Sequence, residues 1–393
     1  MQLTRARAAV LAAFLSQGLV FISLTTRLPD FSDRWHLSEV ELSGLLLMMV
    51  LLAGAGSLLA ERLAGRRDSA TVLRAGLLVS AVGLPVLSTA GEAWVFVAGL
   101  AVYGVGLGVV DAGTNMQAVA VEHAHGRPML PSFHGAWTLG GVVGAAVTLA
   151  TAGLPLGATA VLAVVPAVVA LAPFLPRDPG PVTAPGLDPE AVAVPWRPIL
   201  LVGLGMVVFY MVDTAAATWG PVYLDDTFDT PDGLVALATL PYLVASGITR
   251  LVGDRVVHRY GAPPVLRAGA LVAAAALAVV VVAPTWPVAI VGFTVLGAGV
   301  AVIAPLSFSA AARIAGAGLD PAVRQARVDA VVARFNQLNY VGALLGSVLT
   351  GLVGSGSLRV GFAVPMVLVL AMVPLARAFA PAAAPAPRAA QPS

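Results

Sequence analysis

Five polar residues, Asp111, Asn115, Gln117, His134 and Thr138, flank two apolar runs, Ala93 to Val110 and Val142 to Leu154. Hydrocarbon does not accept such groups without a partner or a water-filled cavity. An ionised aspartate at the centre of a membrane helix costs about 2.5–3.5 kcal/mol on insertion scales. A carboxyl held there suits a carrier that takes a proton on one side and releases it on the other. Asp111 and Asn115, four apart, share one helix face. His134, Trp137, Thr138 and Gly141 follow the i, i+3, i+4, i+7 spacing of another. His134 has two readings, a solute or proton contact and a satisfied histidine near the membrane interface. Asp111 likewise has a structural alternative, a hydrogen bond to a neighbouring helix.

The positioning elements follow from composition. Of 393 residues, 59% are hydrophobic and 11% charged, with a mean hydropathy of +0.91; soluble domains carry about 25% charge. A spanning helix needs about 20 apolar residues. Twelve segments qualify, near 6–28, 40–61, 71–90, 93–119, 131–152, 155–175, 197–222, 231–252, 263–283, 286–315, 325–352 and 357–378. The fold class is therefore an all-α polytopic membrane protein. Without cysteine, disulfides, thiolate metal sites and cysteine nucleophiles are excluded. A net charge of +2 gives no reason to expect a nucleic-acid partner. No cofactor or metal is implied: His123 and His125 lack further ligand-spaced partners, and no P-loop text or persuasive nucleophile–base pair supports an enzyme.

The proline-rich stretch Pro176 to Pro198 divides the chain. Residues 1–178 form the first six-span half, 179–196 a cytoplasmic linker, 197–380 the second half and 381–393 a disordered tail. All 22 basic residues are arginine, and with the N-terminus inside, 19 of them fall on the cytoplasmic side. That bias sets the orientation, with both termini cytoplasmic in a bacterial plasma membrane.

The halves repeat. Ala60-Glu61-Arg62-Leu63 matches Gly253-Asp254-Arg255-Val256 at an offset of 193, which also pairs Arg66 with Arg259 and Arg74 with Arg267. Phe133-His134, Gly140 and Gly144 match Phe335-Asn336, Gly342 and Gly346 at an offset of 202. Two six-helix halves with a site between them describe a large class of secondary transporter.

On these features the whole chain resembles the major facilitator superfamily. The acid–arginine pair followed by Arg66-Arg67 resembles that superfamily's loop motif, with Ser57 where glycine is usual, Glu61 in place of aspartate and the glycine displaced to Gly65. The resemblance implies that Glu61, Arg62, Asp254 and Arg255 help to close the inner side, the acid facing a helix end in the opposite half; the plainer alternative is that the arginines only set topology. Within the superfamily the text GLGVVDAGTNMQ, SFHGAWTLGG and Leu28-Pro29 resembles the fucose-permease-like group. That likeness implies proton coupling at Asp111 and a sugar-lining role at His134. A second acid of that group would fall at Thr25.

In the second half Asp213 interrupts span 7 on a face with Tyr210; the plainer alternative is an aspartate close enough to the outer surface to be wetted. Asn336, Asn339 and Tyr340 share a face of span 11, the counterpart of the His134 face. Trp219 and Tyr223 read as interfacial aromatics rather than as part of an outer gate, Arg27 as a cation reaching outward rather than inward to an anionic group, and Pro305 as a bend in span 10. The candidate site is thus Asp111 for the proton, and Asn115, His134, Trp137, Thr138, Asp213, Asn336, Asn339 and Tyr340 for the solute. The leading function is a proton-coupled secondary transporter of a small polar organic solute, acting as a monomer in the lipid bilayer. The alternatives are a drug or metabolite exporter and a non-transporting receptor or scaffold.

Overall fold

The computed structural model describes residues 2–64, 67–125, 129–175, 195–317, 331, 335 and 337–380. Every regular element among them is helical. The first half contains α1 (Gln2–Thr26), the short α2 (Leu28–Trp35), α3 (Glu39–Ala64), α4 (Ser69–Ser88), α5 (Ala93–His125), α6 (Leu130–Ala150) and α7 (Val164–Val169). The second contains α8 (Trp196–Phe228), α9 (Leu240–Tyr260), α10 (Ala262–Val282), α11 (Trp286–Val300), α12 (Ile303–Gly316), α13 (Leu338–Val353) and α14 (Leu358–Leu368). The expected linker residues 179–194 and tail 381–393 lie outside the described residues, as do Arg66 and Asn336.

Among the described residues ten helices are long and apolar enough to cross a membrane, and two shorter apolar stretches, Leu156–Val169 and Leu338–Val353, fall in the other two expected spans. The sixth span is short for a chemical reason. Pro155 opens it and Pro166 interrupts it, so the chain runs as a 3-10 helix over Leu156–Ala163 before relaxing into α7. The tenth span is broken between α11 and α12, close to the proline bend the sequence indicates. Pro305 has no N–H to give the carbonyl of Ala301, four residues back.

The surface supports the membrane setting. Leu171, Leu251 and Val282 are among its most exposed residues, and apolar groups on that scale face lipid rather than water. The most enclosed spans are α1, α8 and the α11–α12 pair; the span that begins with α14 is the least enclosed.

The repeat in the sequence is a repeat in packing. Gly140 and Gly144 of α6 lie against the carbonyl oxygens of Leu15 and Leu19 on α1. Gly342 and Gly346 of α13 lie against those of Val207 and Met211 on α8. A side chain at any of the four would collide with backbone, so glycine sets these helix separations. The arginine pair matches too. Arg74 Nε donates to Ala170 O at 3.2 Å, and Arg267 Nε donates to Val373 O at 3.3 Å. Each tethers the third span of its half to the sixth.

Three expectations change. Arg27 does not reach outward. It is buried, paired with Asp30 at 2.8 Å, and donates to Thr151 O at 2.6 Å, the residue that ends α6. A cation satisfies orphan carbonyls at a helix C-terminus. Trp219 and Tyr223 are not interfacial. Both are fully buried, with Trp219 Nε1 donating to Ser347 O at 2.7 Å and Tyr223 Oη to Val280 O at 2.6 Å. They pin α8 to α13 and α10, because a buried N–H or O–H must find an acceptor.

Changing Gly346 to alanine is expected to destabilise the protein by about 1–3 kcal/mol through overpacking, seen as a lower melting temperature in detergent. Gly135→Ala, at a site with nothing within 4 Å, is the neutral control. Equal melting temperatures for the two variants would contradict this account of the α8–α13 contact.

Candidate functional site

Among the described residues the largest helix–helix contacts between the halves are α3 against α13 and α6 against α9, with α1 and α2 also meeting α8. At the start of α13, Tyr340 Oη donates to Asp111 Oδ2 at 2.6 Å. This bond joins α5 of the first half to α13 of the second. The side chains of Gln17 on α1 and Asn339 on α13 also address the Asp111 carboxyl. Ser57 of α3 lies within hydrogen-bonding reach of Tyr340.

Tyr210 of α8 sits beside this group, next to Asn339 and within electrostatic reach of Asp111, Asp213 and Arg250. One turn further along α8, Asp213 Oδ1 accepts from Tyr242 Oη of α9 at 2.6 Å. Each membrane carboxyl is therefore met by a tyrosine hydroxyl from another helix. Gly297 of α11 lets the backbone of Tyr242 approach closely, with no room for a side chain. Asp213 is thus held by protein, rather than wetted at the outer surface.

Arg250 of α9 completes the arrangement. Its Nη1 donates to Thr138 Oγ1 of α6 at 2.9 Å, across the two halves. Its Nε donates to Ala301 O at 3.2 Å. That carbonyl is the one Pro305 leaves without its helical donor, so the break in the tenth span supplies the acceptor. The guanidinium also lies 5.8 Å from the centre of the Phe209 ring. His134 is set between Phe14, at 5.2 Å between ring centres, and Phe308, at 6.2 Å. Trp137 packs against Phe21 at 6.3 Å.

The predicted residues therefore fall into separate groups. Asp111, Asn339 and Tyr340 meet in one network. His134 and Thr138 adjoin Arg250. Asp213 pairs with Tyr242. Asn115 turns back on its own helix, its Nδ2 donating to Asp111 O at 2.9 Å, and Gln117 joins Ser69 to both backbone groups of Leu175. Thr25, where the resemblance placed a second acid, is buried, and its hydroxyl donates to Ile22 O at 3.3 Å.

At the end of the bundle nearer the termini, Gln337 Nε2 donates to Glu61 Oε1 at 3.0 Å. This places the predicted gating acid beside the start of α13, in the opposite half. Arg62 and Arg255 are exposed, and the side chain of Asp254 lies outside the described residues. At the opposite end, Gly351 of α13 admits Ser43 of α3 and the ring of Trp219 with no room for a side chain. The α3–α13 seam is thus in contact at both ends. A cleft of about 480 Å³ opens on that side, lined by residues that include Ser32, Asp33, Glu39 and Asp226, away from the Asp111 network.

Sequence reasoning missed Arg250, Tyr242 and Gln17. By position Arg250 is one of the 19 arginines that the sequence places on the cytoplasmic side. Its signal was present: it lies inside the eighth apolar span rather than after it, where a cation needs a partner.

The sequence profile described as Major Facilitator Superfamily matches residues 2–130 and 202–393. An uncharacterised MFS-type transporter of Yersinia pestis is 28% identical over 375 residues, covering 93% of this chain and 94% of that one. The solved structure of a D-xylose-proton symporter aligns with a TM-score of 0.70 at 15% identity, covering 97% of this chain and 98% of that one. The transporter FucP, in its outward conformation, aligns at 0.61 and 16% identity, covering 95% and 98%.

Tyr242→Phe is expected to cost about 1–3 kcal/mol, since it leaves the Asp213 carboxyl without its hydroxyl donor. Tyr260→Phe, at an exposed ring, is expected to cost nothing measurable. Thermal unfolding in detergent compares them, and a Tyr242→Phe protein as stable as wild type would remove Asp213–Tyr242 from the structural account.

Proposed function

This chain belongs to the Major Facilitator Superfamily and is a secondary transporter in the membrane; we propose that it moves a small polar organic solute by alternating access, coupled to protons through Asp111. The observation that carries this reading is the Tyr340–Asp111 hydrogen bond across the two halves. An ionised carboxylate only accepts hydrogen bonds, and a tyrosine donor to it makes a strong charge-assisted bond. A protonated carboxyl has its own hydrogen to place, and it holds Tyr340 less strongly. Proton binding and the contact between the halves are then one equilibrium read at two ends.

The solute sits among the groups that surround this bond. Asn339, Tyr340, His134, Trp137, Thr138 and Asp213 offer amide, hydroxyl, imidazole and ring surfaces, a mixture suited to polar rather than broadly apolar cargo. Asn115 and Asn336 remain candidates for the same lining. Glu61 acts as the inner gate through Gln337, and Arg62, Asp254 and Arg255 flank that end. Rocking the halves breaks the α3–α13 contact at one end and keeps it at the other. The arginine bias supports a bacterial plasma-membrane setting with both termini in the cytoplasm, and one chain supplies the whole site, as in a monomeric carrier.

In proteoliposomes, with a solute taken from a thermal-stability screen of sugars, organic acids and drugs, Asp111→Asn is expected to lower proton-driven accumulation by about 5–150-fold while sparing solute exchange down its own gradient. A variant that still accumulates solute as wild type does would end the proton-coupling reading.

The chain has no cysteine, so Glu61→Cys combined with Gln337→Cys is a clean crosslinking pair. Oxidation is expected to stop transport and reduction to restore it. Unchanged flux through the crosslinked protein would show that this end does not have to open.

A further inference from the structure

We infer that the solute carries a carboxylate, and that Arg250 binds it at the seam between the halves. The inference rests on the transporter reading above and narrows its solute to a hydroxyl-bearing carboxylate. Arg250 lies inside a membrane span, and both of its hydrogen-bond acceptors are neutral, the Thr138 hydroxyl and the Ala301 carbonyl. A guanidinium has five N–H donors, and Nη2 has no acceptor among the described residues. The one ion pair closer than 4.0 Å among those residues is Arg27–Asp30, far from this site. Arg250 is half-buried, and a cation within a membrane span that is hydrogen-bonded only to neutral groups lacks an anionic partner; the planar fork of arginine matches a carboxylate with two parallel bonds.

The surrounding charges fit the same role. Asp213 on α8 is within electrostatic reach of Arg250, but its carboxyl is engaged by Tyr242. His134 on α6, Tyr210 on α8 and Tyr242 on α9 are the other titratable groups in reach, and Asp111 on α5 lies beyond Tyr210. A proton taken up at Asp111 makes the site more positive by one charge, which favours an anion. Binding the anion favours that proton in return.

A second observation supplies the rest of the solute. The side-chain oxygens of Gln17 and Asn339 are buried and have no hydrogen-bond donor, while both amides address Asp111. Buried acceptors of this kind call for donors, and solute hydroxyls provide them. Tyr210 stands next to both ends, within reach of Arg250 and of Asn339. The carboxylate and the hydroxyls therefore bind on either side of one tyrosine ring, as in a polyhydroxy acid.

The test uses the full purified chain and matched probes: gluconate and galactonate against glucose and galactose, read by thermal shift. The two acids are expected to raise the melting temperature of wild type and the two sugars to leave it unchanged. Arg250→Gln is expected to need about tenfold or more gluconate for the same shift, the loss of a charge-assisted hydrogen bond. Arg250→Lys, which keeps the charge without the fork and serves also if Arg250→Gln does not fold, is expected to fall between. The inference is overturned if the sugars stabilise wild type as well as the acids, if the Arg250 variants respond to the acids as wild type does, or if none of the four probes stabilises wild type. None of these results touches the transporter reading, which stands or falls on proton-driven flux in the Asp111 variant.

Discussion

A carboxyl group inside a membrane span has to be met by a donor, because hydrocarbon offers none. In this protein the donor to Asp111 comes from Tyr340, in the opposite half of the molecule. That one requirement links the chemistry of the site to the relation between the halves. Any change in the charge of Asp111 alters a contact that holds α5 to α13. The second acid, Asp213, is satisfied within its own half by Tyr242, so the two carboxyls differ in what their donors hold together.

The close contacts that bring these groups into register come from residues with little or nothing beyond the backbone. Glycines on α6 and α13 let α1 and α8 approach to backbone contact, and tight helix packing of this kind substitutes for a hydrophobic drive that lipid cannot supply. Proline works in the opposite way. At Pro305 a missing N–H frees the carbonyl of Ala301, and Arg250 takes it. A break in one helix thus becomes the anchor of a cation from another, and that cation reaches Thr138 across the seam. Arg74 and Arg267 use the same device, an arginine on a backbone carbonyl, to tie the sixth span of each half to the third.

Much of this was legible in the chain itself. Apolar runs of membrane length marked the spans, since these follow from transfer energies that do not depend on fold. The repeat was visible in Arg74 and Arg267 and in the four glycines, because equivalent packing positions demand the same small or charged residue. Asp111 stood out for the same reason that it needs Tyr340, the cost of an acid in hydrocarbon. The residues misjudged were those whose environment is built by distant segments. Arg27 read as outward-reaching until Thr151 was beside it, 124 positions away. Trp219 and Tyr223 read as interfacial until Ser347 and Val280 enclosed them.

Periodicity and hydropathy, then, determined the helices, the six-plus-six plan and the candidacy of Asp111, His134 and Tyr340, and short motifs carried the family resemblance. Tertiary structure alone decided which polar groups meet. It separated Asn115 and Gln117, which bond to nearby backbone or helix ends, from Asp111, which reaches across the molecule. It also raised Arg250 from one arginine among 22 to a cation at the seam. The physical reason is that burial cost is a property of a residue and its local run, whereas a hydrogen-bond partner is a property of helix packing, and packing here joins positions more than a hundred residues apart.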